Sequence, residues 1–146
     1  MIKAIVFDLD GVLLDSEPVW EEVRRQVVAE TGGHWNPDTR SRLMGMSTAE
    51  WASFLGTDLG VHLPPELMAH TVFERMAARY NDHLPLMHGA AEAVRRLARR
   101  WRLGMASSSP PALIEFVLSD PAAVRAASLV VPDLSALTPE LVATLS

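Results

Sequence analysis

Two aspartates separated by one leucine, Asp8-Leu9-Asp10, follow directly on the short apolar run Ile2-Lys3-Ala4-Ile5-Val6-Phe7. Two carboxylates a few ångströms apart repel unless a cation lies between them or one of them holds a proton. Both conditions describe a Mg²⁺-dependent active site. The run before them is β-branched and aromatic, and Asp and Gly bound it, which predicts a fully buried parallel strand ending in a loop. Asp8 and Asp10 then stand at its C-terminal tip, where open α/β sheets bind ligands. Alternation along an extended chain sends both aspartate side chains one way and Leu9 the other. Gly11 suits the sharp turn that has to follow.

The elements that must position this tip are legible from spacing. Ser16-Glu17-Pro18 is a helix start, and Val19, Trp20, Val23 and Val27 recur behind it at helical intervals until Gly32-Gly33. Ser47-Thr48-Ala49-Glu50 matches a capping box, with Trp51, Phe54 and Leu55 as the buried side of the helix it opens. Pro64-Pro65 opens a longer helix with a stripe of Ala69, Val72, Phe73, Met76, Ala77 and Tyr80. A further helix carries Ala90, Ala93, Val94, Leu97 and Ala98 on one face. A second strand, Trp101 to Ala106, then ends in Ser107-Ser108-Ser109 ahead of Pro110-Pro111 and another helix. Ser128 to Val131 reads as a short third strand, and Thr138-Pro139-Glu140 as the start of a last helix. The layout is α/β: residues 1–15 and 86–146 form a core with a parallel sheet, and residues 16–85 form a helical lobe inserted after the first strand. Both strand tips, Asp8-Asp10 and Ser107, fall at the same edge of that sheet.

Composition sets outer limits. A chain of 146 residues with a hydrophobic fraction of 49% and a charged fraction of 21% is long enough and apolar enough for a real core. The formal net charge of −5 argues against a nucleic-acid or membrane-surface binder. The arginines at 95, 96, 99, 100 and 102 lie mostly opposite the apolar stripe of their helix and read as a solvated face. With no cysteine there is no disulfide, thiolate metal site or Cys nucleophile, and the cytoplasm is the expected compartment. No run approaches a membrane span, and the N-terminal apolar stretch, broken by Lys3, does not fit a secretory signal. His34, His62, His70 and His83 show no ligand spacing, and His88 reads as a surface or hinge histidine.

The run Asp-Leu-Asp-Gly-Val-Leu-Leu-Asp-Ser-Glu-Pro from Asp8 to Pro18 resembles the first signature of the haloacid dehalogenase superfamily, in its Asp-x-Asp, β-phosphoglucomutase-like branch with a helical cap. The resemblance implies a Rossmannoid core and a Mg²⁺-dependent phosphatase of small phosphorylated metabolites. It implies Asp8 as the nucleophile and Asp10 as the acid and base. Asp8 and Asp10 would also hold the metal, through the Asp8 carboxylate and the Asp10 main-chain carbonyl. Ser107 matches the second signature, which hydrogen-bonds the transferring phosphoryl group; Ser108 and Gly11 would lie against the same phosphate. Leu43-Met44-Gly45-Met46-Ser47 is similar to the glycine-containing cap loop, which places Gly45 at the substrate. Position 48 is Thr where the mutase carries Arg, which favours a monophosphatase.

Two further signatures of that family, a Lys and an acidic pair, find no match beyond Ser107. The one lysine, Lys3, precedes Asp8 by five residues, roughly 16 Å along a strand. The acidic residues beyond Ser107 are Glu115, Asp120, Asp133 and Glu140, none of them paired. The tail from about Ala122 resembles the C-terminus of family members, so the intervening block reads as deleted and the sheet as incomplete. Weak or absent turnover is expected, with a non-enzymatic phosphate-binding or interaction remnant as the alternative. The exposed edge of the strand that lost its neighbours predicts poor solubility or self-association.

Overall fold

The computed structural model describes residues 3–119 and the backbone of residues 127–131. The element order is β1 (Ala4–Phe7), α1 (Glu17–Glu30), α2 (Thr39–Leu43), α3 (Thr48–Asp58), α4 (Pro65–Asp82), α5 (Ala90–Ala98), β2 (Arg102–Ala106), α6 (Pro111–Ser119) and β3 (Ala127–Val131). The helix expected at Thr138 lies outside the described residues. The chain separates into two compact units, Met1–Glu17 with Tyr80–Ser146, and Pro18–Arg79.

The first unit carries a parallel sheet in the order β1-β2-β3 among the described residues. Phe7 pairs in register with Met105, so the two strands end together. Parallel neighbours need a long crossover, and the chain between β1 and β2 provides one. Central β2 is buried from Leu103 to Ala106, while every residue of β1 is only half-buried. The expectation of a fully buried first strand is therefore corrected: β1 stands at the edge of the described sheet with β2 as its one neighbour there. An edge strand leaves one row of backbone groups and part of each side chain uncovered. α5 lays Ala90 and Val94 inward, and α6 buries Leu113, Ile114 and Val117.

The second unit is helical throughout its elements. Its core forms where Val23, Val27 and Val28 of α1 are buried, as are Phe54 and Leu55 of α3 and Met68, Val72 and Met76 of α4. α3 starts on the full capping box: the Ser47 hydroxyl accepts from the Glu50 amide, and the Glu50 carboxylate accepts from the Ser47 amide at 2.7 Å. Such a cap contributes about 1 kcal/mol. The Arg24 guanidinium lies 4.8 Å from the Trp20 ring and 4.6 Å from the Trp51 ring, and both rings meet Phe73 edge-on at 6.0 Å. Arg79 pairs with Glu22 at 2.6 Å and Arg75 with Glu30, tying α4 to α1 along its exposed side.

Candidate active site at the Asp8–Asp10 loop

After Phe7 the chain leaves the sheet and Asp8 is exposed, its Oδ1 accepting the Leu9 amide at 2.7 Å. Leu9 points into the core at 1% exposure and anchors the loop; full burial of such a side chain contributes roughly 1.5–3 kcal/mol. Its carbonyl accepts from the amides of Leu13 at 2.9 Å and Leu14 at 3.0 Å, closing a single tight turn. Gly11 makes that turn with φ +75°, a region costly for any residue with a Cβ. The outgoing chain then pairs antiparallel with the returning one: Met87 N–H donates to Leu13 O, and Asp15 N–H to Pro85 O, each at 2.8 Å. The opposite placement of Leu9 from the two aspartates follows the alternation expected of an extended chain.

Asp10 is half-buried and held by two hydroxyls. Ser16 Oγ donates to its Oδ1 and Ser109 Oγ to its Oδ2, each at 2.5 Å. Such charge-assisted bonds are short and about twice as strong as neutral ones. Ser107 is buried at 2% exposure, and its Oγ accepts the Ser109 amide at 3.1 Å. The serine loop and the aspartate loop thus meet at the common end of β1 and β2. Ser16 is fully buried, and Tyr80 is 2% exposed. Burial pushes the Tyr80 phenol well above the usual phenol range, and the Asp10 charge pushes the same way; the nearby Ser16 hydroxyl opposes both.

Of the residues expected at the site, Asp8, Asp10, Gly11 and Ser107 come together here. Ser108 is exposed in the same loop. Gly45 belongs to the helical unit, where it is exposed with φ +78° beside the exposed Met44. The hydroxyls of Ser16 and Ser109 and the phenol of Tyr80 were not foreseen in these roles. Ser16 and Ser109 read as helix-start residues and Tyr80 as part of a core stripe; the fold buries Ser16 and Tyr80 and half-buries Ser109.

The donor set suits Mg²⁺ in kind. The exposed Asp8 carboxylate and the Asp10 carbonyl are hard oxygens, and Mg²⁺ is commonly held by one or two carboxylates with water and substrate phosphate completing the shell. Among the described residues no group of three or more His, Asp or Glu gathers as a metal cluster. Lys3 precedes β1, at the end of the strand opposite Asp8.

A sequence model of the haloacid dehalogenase-like hydrolases matches residues 2–136. The chain belongs to that family. Among its relatives, the phosphorylated carbohydrates phosphatase of Thermotoga maritima is 30% identical over 110 residues, 75% of this chain and 51% of the relative. Hexitol phosphatase B of Escherichia coli is 30% identical over 124 residues, 81% of this chain and 54% of the relative. The chain thus spans about half the length of these two phosphatases. In fold it is similar to CbbY of Rhodobacter sphaeroides in complex with phosphate, with a TM-score of 0.74 at 22% identity, covering 99% of this chain and 71% of that one. The structure shares the family's fold with a small parallel sheet.

Proposed function

We propose that this chain is a phosphohydrolase of small phosphate monoesters, phosphorylated carbohydrates above all, working through an aspartyl-phosphate on Asp8. The observation that carries the reading is the exposed Asp8 carboxylate beside an Asp10 fixed by two hydroxyls, at the strand end that also holds Ser107. An Asp8 oxygen attacks phosphorus and the bond to the leaving alkoxide breaks, with Asp10 giving that oxygen its proton. Asp10 then takes a proton from water, whose oxygen attacks phosphorus and frees Asp8 and inorganic phosphate. Two displacements with acid–base help replace one harder one. Ser107, with the amides of Ser108 and Ser109 ahead of α6, would hold the phosphoryl oxygens, since a helix N-terminus favours an anion. Mg²⁺, held by the Asp8 carboxylate and the Asp10 carbonyl, would offset the repulsion between carboxylate and phosphate.

In this reading the helical unit takes the part of the family's substrate cap, and Gly45 belongs to its substrate loop. The identities of the two phosphatase relatives support the substrate class. No described helix is long and apolar enough to cross a membrane, and the lack of cysteine suits a cytoplasmic setting. The uncovered edge of β1 is offered as a self-association surface.

The second reading, a phosphate-binding or interaction module without turnover, is favoured by one feature: Lys3 is the sole lysine and stands at the wrong end of β1. Hydrolysis of an aryl phosphate with and without Mg²⁺, beside Asp8→Asn, separates the two. Phosphate release that requires Mg²⁺ and vanishes in Asp8→Asn is the expected result. Stabilisation by phosphate with no release from either protein would replace the phosphatase reading with the binding module.

A further inference from the structure

We infer that two copies of this chain pair antiparallel along the edge of β1, and that Lys3 of each copy then stands beside Asp8 of the other as a cation for its phosphate. The catalytic half of this inference rests on the reading of Asp8 as the nucleophile; the pairing does not.

β1 has β2 as its one neighbour among the described residues, and Ala4 to Phe7 are each half-buried. One row of backbone donors and acceptors on such an edge is open to another strand. The two ends of this strand carry opposite charge: Lys3, the sole lysine, is exposed just before Ala4, and Asp8 is exposed just after Phe7. Parallel pairing of two such edges would set like charges side by side, whereas antiparallel pairing brings each cation toward an anion. A closed dimer of this kind has a two-fold axis, which here stands perpendicular to the sheet and leaves every side chain on its own face. Facing residues then differ in number by an even count, and the registers that pair most of β1 set Ile5 or Val6 on the axis. With Val6 there, Ala4 of the second copy faces Asp8; with Ile5 there, Lys3 of the second copy faces Phe7. In both registers that Lys3 is one residue along from the position opposite Asp8. A strand spacing of about 4.8 Å and a step of about 3.3 Å put the two Cα atoms about 6 Å apart. The flexible four-carbon stem of a lysine covers that distance. Lys3 and Asp8 both lie outside the strand, so its alternation does not hold them to opposite faces.

Within one copy the α/β unit places its cations elsewhere. Its own Lys3 is roughly 16 Å from Asp8 along the strand. The described arginines of this unit lie in the last turn of α5 and from there to the start of β2, the end of the sheet away from Asp8. An edge of four residues is short, so the dimer is weak and the monomer prevails at the dilution of an ordinary assay.

With a single lysine in the chain, carbodiimide coupling of amine to carboxylate tests the pairing directly. An amide between Lys3 and Asp8, found by mass spectrometry in a covalent dimer, joins two copies, because within one chain the two residues are too far apart to couple. It should form in the wild type as chain concentration rises and be absent from Lys3→Gln and from Asp8→Asn. In sedimentation, Lys3→Gln should dimerise more weakly than the wild type. A lysine on a sheet edge ordinarily discourages pairing; were that its use here, Lys3→Gln would associate more tightly, and the proposal would fall. A wild type that stays monomeric at every concentration, or covalent dimers without the Lys3 to Asp8 amide, would overturn it equally. In turnover, specific activity should rise with chain concentration, and at high concentration Lys3→Gln should lower it about tenfold, less than the roughly 10²–10³ of a rigid donor. Mixed in equal amount with Asp8→Asn, which lacks the nucleophile, Lys3→Gln should regain about a quarter of wild-type turnover, since half of the dimers are mixed and each holds one complete site. A mixture no more active than its parts would remove Lys3 as the cation. A wild-type chain without Asp8-dependent turnover would sink the phosphatase reading, and the amide would still decide the pairing.

Discussion

The site turns on how few side chains hold a carboxylate in place. Asp10 meets Ser109 across 99 positions of sequence and Ser16 across six, while Ser107 holds the Ser109 amide, so four residues from two loops fix one another. That Asp8, Asp10, Gly11 and Ser107 meet at one strand end was legible because strand-end carboxylates and a serine loop ahead of a helix fix where the two chain segments leave the sheet. The hydroxyl roles of Ser16 and Ser109 were not, since Ser-Glu-Pro and Ser-Ser-Ser-Pro are also ordinary helix starts and sequence does not say where a hydroxyl proton goes. Ser107→Ala tests the loop directly. It removes the acceptor of the Ser109 amide and the hydroxyl proposed to meet phosphate, and a hydrogen bond to a charged group is worth about 1.5–3 kcal/mol. Inorganic phosphate should raise the melting temperature of the wild-type chain, and the alanine variant should need about tenfold more phosphate for the same rise. An unchanged phosphate requirement would remove Ser107 from the site.

At the scale of elements, local signals served well where one interaction decides the outcome. The Ser47-Glu50 box starts α3 as its residues require, and the stripe of α4 buries Val72, Met76 and Tyr80. α2 gave no periodicity because five residues make barely more than one turn; it stands on buried Leu43 and on Thr39, whose hydroxyl accepts the Asn36 amide at 3.1 Å. The burial of β1 was misjudged because an apolar run reports what a strand could bury and not how many neighbours it has. Packing in the helical unit is close enough to test at Gly33. A Cβ there would meet Leu59 O at 2.7 Å and methyls of Val28 and Val61 at 2.9 Å, and backbone cannot rotate aside as a side chain can. Gly33→Ala should lower stability by roughly 1–3 kcal/mol in thermal or urea unfolding. The same unit should also lose stability in acid. Arg75 holds the Glu30 carboxyl below its usual range, Ser47 does so for Glu50 and Arg42 for Asp58. A carboxyl whose folded pKa is depressed contributes its stability in full above the unfolded value and loses it as pH falls through the folded one. The melting temperature should therefore hold down to the ordinary values of 4.5 for the glutamates and 3.8 for the aspartate, then fall below them. Arg75→Gln and Arg42→Gln should flatten that fall.

For the molecule as a whole, the question is what the residues that span about half of the two phosphatase relatives can do. The strand end that carries Asp8, Asp10 and Ser107 depends on β1, β2 and the serine loop, all among the described residues, so the two carboxylates proposed as nucleophile and as acid and base need nothing further to be placed. Charge is different. A phosphate monoester brings negative charge against the Asp8 carboxylate, and that repulsion grows as the two atoms approach. In these 146 residues the sole lysine is Lys3, beyond reach at the far end of β1, and no third acidic side chain joins Asp8 and Asp10 among the described residues. This shortfall was readable in the sequence only through the family resemblance, since an absent residue leaves no local pattern. One preorganised electrostatic donor is worth about 2.7–4 kcal/mol in comparable sites, or roughly 10²–10³ in rate. With saturating Mg²⁺ and the same aryl phosphate, kcat of this chain should fall at least about 100-fold below that of the Thermotoga maritima phosphatase measured beside it. Equal rates at saturating Mg²⁺ would mean that Asp8, Asp10 and the serine loop neutralise the phosphate unaided, and the charge argument would fail while the placement of the nucleophile stood.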